Sequence, residues 1–410
     1  MRLQVAVTEK NERLGPTSTP VMKFSVSQRY GVIPSDELEN RTMQAKSLEK
    51  YKVVAEDDLV LNRFNAYKGA LGLAPGTGVV SPDYFVAVVN PTLADARFIR
   101  YFLLAQPSAE IIRRDMGGMG SGDPDSSAFA RFDVRSLLSM EVAIDDLGAQ
   151  RAIADYLDRE TAEIDAMSAD LDEMEVLLKE RRVAIIALHV FGKADHLYPR
   201  LPLKVVTART FAGEWGKEAG EQEHDRRCVR VADFDRHTNL VSDKVPTIRS
   251  YNSKNVADKA LRTGDLLIEK SGGTNINPVG NVIEYVGADG PLCSNFIQVV
   301  RLNNQQHSRY WQQAHLAAYE TGVTNLYVNQ TTGIQNLDMN GFTSEKFPVP
   351  PREEQRRIAD EIDHETAEID AMLADITELR DLLAERRAAV IAAAVTGQID
   401  IPAAEEITHA

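Results

Sequence analysis

Apolar residues recur at alternating steps of four and three along two stretches of the chain. From Ile153 the steps reach Leu157, Glu160, Ile164, Met167, Leu171, Met174, Leu178, Arg181, Ile185 and Leu188, and from Ile358 they continue to Ala393. That period predicts a coiled-coil helix with one narrow apolar face. The remaining positions are mostly Asp, Glu, Arg, Lys and Ala, and no Gly or Pro interrupts either run before Gly192 and Gly397. At 1.5 Å per residue each helix is about 60 Å long. A helix of that length cannot bury its whole seam against a small domain, so the expected partner of each is the other. The predicted pair contacts are Ile164, Met167, Leu171, Met174 and Leu178 on one helix and Ile369, Met372, Ile376, Leu379 and Leu383 on the other. Polar residues interrupt the seam at Glu160, Arg181, Glu365 and Arg386. An antiparallel pair keeps the sum of facing residue numbers constant, which predicts Glu160 opposite Arg386 and Glu365 opposite Arg181.

The two helical stretches are copies. Gln150–Asp195 aligns without a gap on Gln355–Asp400 at an offset of 205, with about six positions in ten identical. The segments before them also run in one order. In residues 1–147, strand-like runs at Tyr51–Val54, Asp58–Leu61 and Tyr84–Val89 precede an amphipathic helix at Ala94–Ala105 and a Gly-rich loop, MGGMGSGDPDSS, at Met116–Ser127. That loop lacks the GxxxxGK[ST] phosphate-cradling pattern and suits a mobile or target-contacting role. In the second half, Asp265–Ile268 stands for Asp58–Leu61, Phe296–Val300 for Phe85–Val89 and Ser308–Tyr319 for the helix, before a polar loop NQTTGIQNLD. The fold class is therefore α+β: two α/β domains at 1–147 and 193–351, two long antiparallel helices at 148–192 and 352–400, a tail at 401–410, and an internal pseudo-two-fold repeat. Helices kept alike do the same job; domains that have drifted can face different targets.

Composition narrows the class. The 410 residues suit two or three domains, and 43% hydrophobic content is ordinary for well-cored ones. No stretch has the length of a membrane span and the first residues lack a signal-peptide core, so a cytoplasmic protein is expected. Cys228 and Cys293 are the only cysteines, too few for a disulfide framework or a CxxC site. The net charge of −15 is concentrated in the helices: segments 150–192 and 355–410 together hold 10 Lys+Arg against 23 Asp+Glu. The domains are left nearly neutral, which permits a basic face on each.

On these residues the chain resembles the specificity subunits of type I restriction-modification enzymes. The resemblance covers essentially the whole chain and rests on PVPPREEQRRIADEID at Pro348–Asp363, the repeated ETAEIDAM and ERR runs, the terminal VTGQI, and YKVVAEDDLVLNRFNAYKGALG and VSPDYFVAV in the first half. It implies two target-recognition domains, each reading half of a split site in double-stranded DNA. The helices would serve as a ruler and dock two modification subunits, with restriction subunits completing the complex and no membrane involved. It also implies that S-adenosylmethionine, ATP and magnesium belong to those partners and that this chain carries no cofactor. The family's repeated base suggests a structural role for Thr331, Thr332 and Gly333. One departure is that VAIDDLGAQRAI precedes the first helix where VPVPPREEQRRI precedes the second, so the helix starts need not match.

Polar, aromatic and basic residues after corresponding strands are the DNA-binding candidates: Asn62, Arg63, Asn65, Tyr67 and Lys68 in the first domain, and Lys270, Thr274, Asn275 and Asn277 in the second. No catalytic or metal-binding residue is expected. NPTL and NPVG are not the aromatic-terminated NPPF or NPPY, no glycine-rich cofactor fingerprint follows a strand, and HETAE at His364–Glu368 has RETAE as its counterpart, which argues against zinc. The chain is thus expected to be a non-catalytic subunit of a methyltransferase and endonuclease complex. The other reading is a coiled-coil scaffold with two protein-binding domains; a salt-dependent, sequence-specific shift of duplex DNA separates the two.

Overall fold

The structure is a computed structural model that describes residues 1–16, 21–37, 47–117, 131–194, 196–236, 238–242, 244–274, 277–331, 334–399 and 401. It divides into two compact units, Met1–Asp170 with Leu379–Ala410, and Leu171–Glu378. Among the described residues no helix is long and apolar enough to cross a membrane.

The first unit is built on a four-stranded antiparallel sheet in the order β1 (Val7–Glu9), β8 (Tyr84–Val89), β5 (Leu59–Asn62), β6 (Leu71–Leu73). Leu59 and Leu61 bury one face against helix α1 (Ala96–Leu104), while Val60 and Val86 bury the other beneath a layer that includes β2 (Phe24–Ser27), β3 (Gly31–Pro34), β4 (Lys52–Val54) and β7 (Gly78–Val80). Burial on both faces explains why Leu59–Leu61 is a continuous apolar run with no alternation.

The second unit repeats that sheet. Its order is β9 (Thr207–Ala212), β12 (Ile297–Leu302), β10 (Asp265–Glu269), β11 (Val282–Tyr285), the same succession of first, fourth, second and third strand. Each central strand opens on a buried aspartate. Asp58 accepts from Ala55 N (2.8 Å) and Lys10 Nζ (2.7 Å); Asp265 accepts from Arg262 N (2.8 Å) and takes both Nε and Nη2 of Arg301 at 2.7 Å. A three-stranded sheet of His224–Val229, Ile248–Tyr251 and Leu292–Cys293 was not evident from residue pattern; in the first unit the β2–β3 hairpin meets β7 in the same way, by a parallel bridge of Lys23 with Val79. The segment read as a polar loop is a hairpin, β13 (Val328–Thr331) and β14 (Ile334–Leu337), in which Gln335 and Leu337 turn inward and Asn336 outward. Thr331 N and O belong to it; Thr332 and Gly333 lie outside the described residues, as does the Gly-rich run from 118 to 130.

The long helices run Leu147–Ala187, continued as a π-helix over Leu188–Ala194, and Arg352–Val395. The start of the first (Ile153, Ala154, Leu157) and the end of the second (Ile391, Ala394, Val395) complete the first unit's core. In the second unit, Ile186 and Val190 join Ile358, Ala359 and Ile362. Within that unit the helices pack antiparallel through Leu171, Leu178 and Ile185 against Ile369, Leu373 and Ile376.

The seam differs from the expected one at every second position. Leu157, Ile164, Leu171 and Leu178 hold it, but the alternate places go to Thr161, Ser168, Arg182 and His189, one residue later than Glu160, Met167, Arg181 and Leu188. Thr161 is 5% exposed whereas Met167 is 44% exposed. The second helix does the same: Thr366 and Arg387 turn inward, and Met372, Leu379, Glu365 and Arg386 outward, with Leu383 half-buried. The hydroxyls enter the seam because each bonds back to its own helix, Thr161 to Leu157 O (2.7 Å), Ser168 to Ile164 O (2.8 Å) and Thr366 to Ile362 O (2.9 Å).

Candidate nucleic-acid interface

Corresponding fastenings, one in each half, tie each domain to the start of its long helix. Gln150, fully buried, accepts from Asp95 N (3.0 Å) at the foot of α1 and donates to Ile144 O (2.8 Å). Gln355, its partner at offset 205, accepts from His307 N (2.8 Å) at the foot of α3 (Ser308–Glu320) and donates to Pro350 O and Gln306 Oε1, both at 2.8 Å. About two helical turns on, Arg97 reaches Asp158 (2.9 Å) and Arg309 reaches Asp363 (2.7 Å), again 205 apart on the helix side. The Pro-Pro start of the second helix keeps the fastening but supplies its accepting carbonyl, Pro350 O, one residue nearer the glutamine than Ile144 O lies in the first.

The ion pairs between the helices obey the same exchange. Arg182 bonds Asp370 at 2.7 Å in the second unit, and Arg387 approaches Asp165 at 3.5 Å in the first. Adding 205 to Arg182 gives Arg387, and adding 205 to Asp165 gives Asp370. Of the two pairs expected from sequence, Arg386 Nη2 lies 3.3 Å from Glu160 Oε2. The Glu365 carboxylate instead meets His189 Nε2 at 3.0 Å, and no ion pair joins it to Arg181 among the described residues. The one-residue shift of the seam is the cause, since it brings the buried His189 over Glu365 and turns Arg181 to solvent.

The DNA-binding candidates divide by what holds them. Asn62 Oδ1 accepts from Phe64 N (3.1 Å), an Asx turn that bends the chain out of β5. Arg63 is turned inward: its Nη2 donates to Phe132 O (3.1 Å), its backbone O accepts from Phe132 N (3.1 Å), and its guanidinium lies 5.7 Å from the Phe132 ring centre. It holds Phe132 by both its guanidinium and its backbone. Asn65 O accepts from Lys68 N and Ala70 N, and Tyr67 packs against the first core. Lys68 is exposed, with Nζ 5.2 Å from the Tyr67 ring centre.

In the second unit Lys270 is half-buried, and burial together with nearby Lys259 holds its ammonium below the ordinary lysine value against the opposing influence of Cys293. Its backbone bonds Phe296 O and Leu337 N, which keeps the side chain near the sheet. Thr274 and Asn277 close a small exposed turn, Thr274 N to Asn277 O (2.8 Å) and Asn277 N to Thr274 Oγ1 (3.1 Å). Asn275 lies outside the described residues. The structure thus gathers Lys68 and Tyr67 on one turn and Thr274 and Asn277 on another, and holds Arg63 against Phe132 and Lys270 near the sheet.

Sequence reasoning passed over several arginines held against aromatic rings. The Arg131 guanidinium is 5.0 Å from the Phe64 ring centre, Arg29 is 5.2 Å from Tyr30, and Arg249 is 4.8 Å from Trp215. Alternation in FSVSQRYGVIP, with Gly31 after the polar tip, was the available signal for the hairpin that carries Arg29 and Tyr30.

Residues 243–379 match a family model described as "Type I restriction modification DNA specificity domain". A solved structure from work on "complex assembly and conformational transition of the type I R-M system" is similar with a TM-score of 0.58 at 16% identity, over 97% of this chain and 97% of that chain. Two others are the HsdS subunit from Thermoanaerobacter tengcongensis (TM-score 0.44, 16% identity, 97% and 96% covered) and the type I restriction-modification S subunit from M. genitalium (0.39, 14%, 96% and 95%). No curated protein matches the chain.

Proposed function

We propose that this chain, which carries a type I restriction-modification DNA specificity domain and has the fold of a specificity subunit, reads a split DNA site, one half with each domain. The observation that carries this reading is the doubled fastening, Gln150 and Arg97 in one half and Gln355 and Arg309 in the other. Rigid fastening at both starts lets a helix pair fix the distance between two bound half-sites, which an ordinary linker would leave free. Helices of 41 and 44 residues are about 60–65 Å long, enough to span successive turns of B-DNA at about 34 Å per turn.

The chain is a recognition component. Base edges would be read by side chains on the domain turns, and phosphates held by Lys and Arg. Acid collected on the helices keeps those surfaces off the duplex and leaves them to protein partners. Two modification subunits would dock there and restriction subunits would join them; S-adenosylmethionine, ATP and magnesium would be bound by these partners, in the cytoplasm. A sequence-specific shift of duplex DNA that weakens steeply with salt, measured with and without modification subunits, tests the reading. Binding that ignores sequence under both conditions overturns it. Mapping methylated adenines in the host genome then defines the site.

A further inference from the structure

The hairpin β2–β3 in the first unit is a two-stranded antiparallel ribbon, registered from Phe24 opposite Pro34 to Ser27 opposite Gly31. Its inner face is anchored, since Phe24, Val26 and Val32 are buried with Val54, Val60 and Val80. Its tip is not: Gln28, Arg29 and Tyr30 are all exposed, Tyr30 at 61%. The exposure is built in. Ser27 Oγ accepts from both Arg29 N (3.2 Å) and Tyr30 N (3.3 Å), and Gly31 takes a left-handed φ of 67° to return the chain to β3.

The ribbon lies close on β6, where a Cβ on Gly72 would stand 2.9 Å from Val32 N. Its tip sits beside the turn that holds Tyr67 and Lys68, since a Cβ on Gly69 would stand 3.8 Å from Gln28 O. Helix α2 (Gln106–Arg114) packs on the same turn. One edge of the unit therefore carries Arg29 and Lys68 beside an exposed tyrosine.

We propose that the β2–β3 ribbon enters the major groove of the first half-site, with Arg29 and Gln28 reading base edges and Lys68 on a flanking phosphate. This rests on the DNA-reading function above. The major groove, about 12 Å wide, admits a two-stranded ribbon. Arginine pairs two donors with guanine O6 and N7, and glutamine pairs with adenine N6 and N7, so the tip carries two side chains suited to direct readout. Tyr30 adds an apolar face for a thymine methyl or a sugar. An inner face fixed in the core holds the tip in one register, which base readout requires.

The test uses the full chain with its modification subunits and a duplex carrying the mapped site, titrated by fluorescence anisotropy over a salt series. Arg29→Ala should weaken binding about tenfold or more and relax discrimination at one base pair of one half-site. Arg29→Lys should keep the salt dependence and lose the discrimination. Gln28→Ala should relax a neighbouring base pair, and the other half-site should read as before in all three. Wild-type affinity and discrimination in Arg29→Ala and Gln28→Ala, with a wild-type protein that does discriminate, overturn the ribbon's role alone. Uniform weakening without lost discrimination overturns its placement in the groove. A wild-type protein that discriminates no duplex from another overturns the function and this inference together.

Discussion

Replacing Gln355 by leucine keeps most of the side-chain volume and removes three hydrogen bonds from a fully buried position. Each bond contributes about 1 kcal/mol net, and leaving His307 N and Pro350 O buried without partners costs about 1–3 kcal/mol apiece. The expected loss is therefore about 3–5 kcal/mol in the second unit. The chain supplies its own reporter, because its two tryptophans, Trp215 and Trp311, both belong to that unit. Trp311 is fully buried, and its Nε1 donates to the same Gln306 Oε1 that Gln355 holds (3.0 Å). Urea titration followed by tryptophan fluorescence should show the Gln355→Leu midpoint lowered by about 1 M or more. Gln150→Leu removes the equivalent bonds from the first unit, which has no tryptophan, so it should shift a circular-dichroism transition more than the fluorescence one. An unchanged fluorescence midpoint in Gln355→Leu would refute the view that this glutamine fastens domain to helix.

His315 is fully buried against Phe342 and Phe347, and burial depresses its pKa to about 4, below the ordinary value of about 6.5. The unfolded chain takes up the proton first, so its contribution is full above about pH 6.5 and is lost as pH falls toward about 4, by about 3 kcal/mol in all. His315→Asn, which retains a donor for Trp311 O, should flatten the pH dependence of the tryptophan transition in that window; a wild-type profile already flat there would count against it. Reversing Arg182→Asp should cost about 0.5–1 kcal/mol, given that Asp370 is well exposed, and adding Asp370→Arg should restore it; a double variant no more stable than the single one rules out the pair. Matched insertions of seven residues, one in each long helix, preserve the seam and add about 10 Å. They should lengthen the spacer of the methylated site by about three base pairs with both half-sites unchanged, and altered half-site bases would sink the ruler.

Much of the fold could be read from the chain because repetition does not depend on pattern strength. The long helices follow from the offset of 205, and β5, β8 and α1 with their second-half counterparts from the repeated order of elements. The seam register did not, and the reason is local. Met167, Met174, Met372 and Leu379 are apolar but can remain half in solvent, while Thr161 and Thr366 satisfy their hydroxyls within their own helices and so cost little to bury. Apolar periodicity alone cannot separate two stripes one residue apart. The surroundings of Arg63 were illegible for a similar reason: Phe132, from a segment 69 residues away, offers it a carbonyl and a ring. The second unit's three-stranded sheet escaped because its strand His224–Val229 carries Asp225, Arg226 and Arg227 in succession, a pattern with no period-two alternation.

The last turns of the second long helix place Ile391, Ala394 and Val395 among Leu3, Phe98 and Leu157. During synthesis, then, the first domain emerges early yet keeps an open apolar face until more than two hundred further residues have been made. The second unit, complete by Glu378, has every piece of its core before the first does. Order of completion reverses order of translation, and closure of the first domain waits on contacts distant in sequence, which form slowly. A nascent chain halted between the two points would carry a finished second domain and an unfinished first one, so chaperone demand and early proteolysis should concentrate at the N-terminal half.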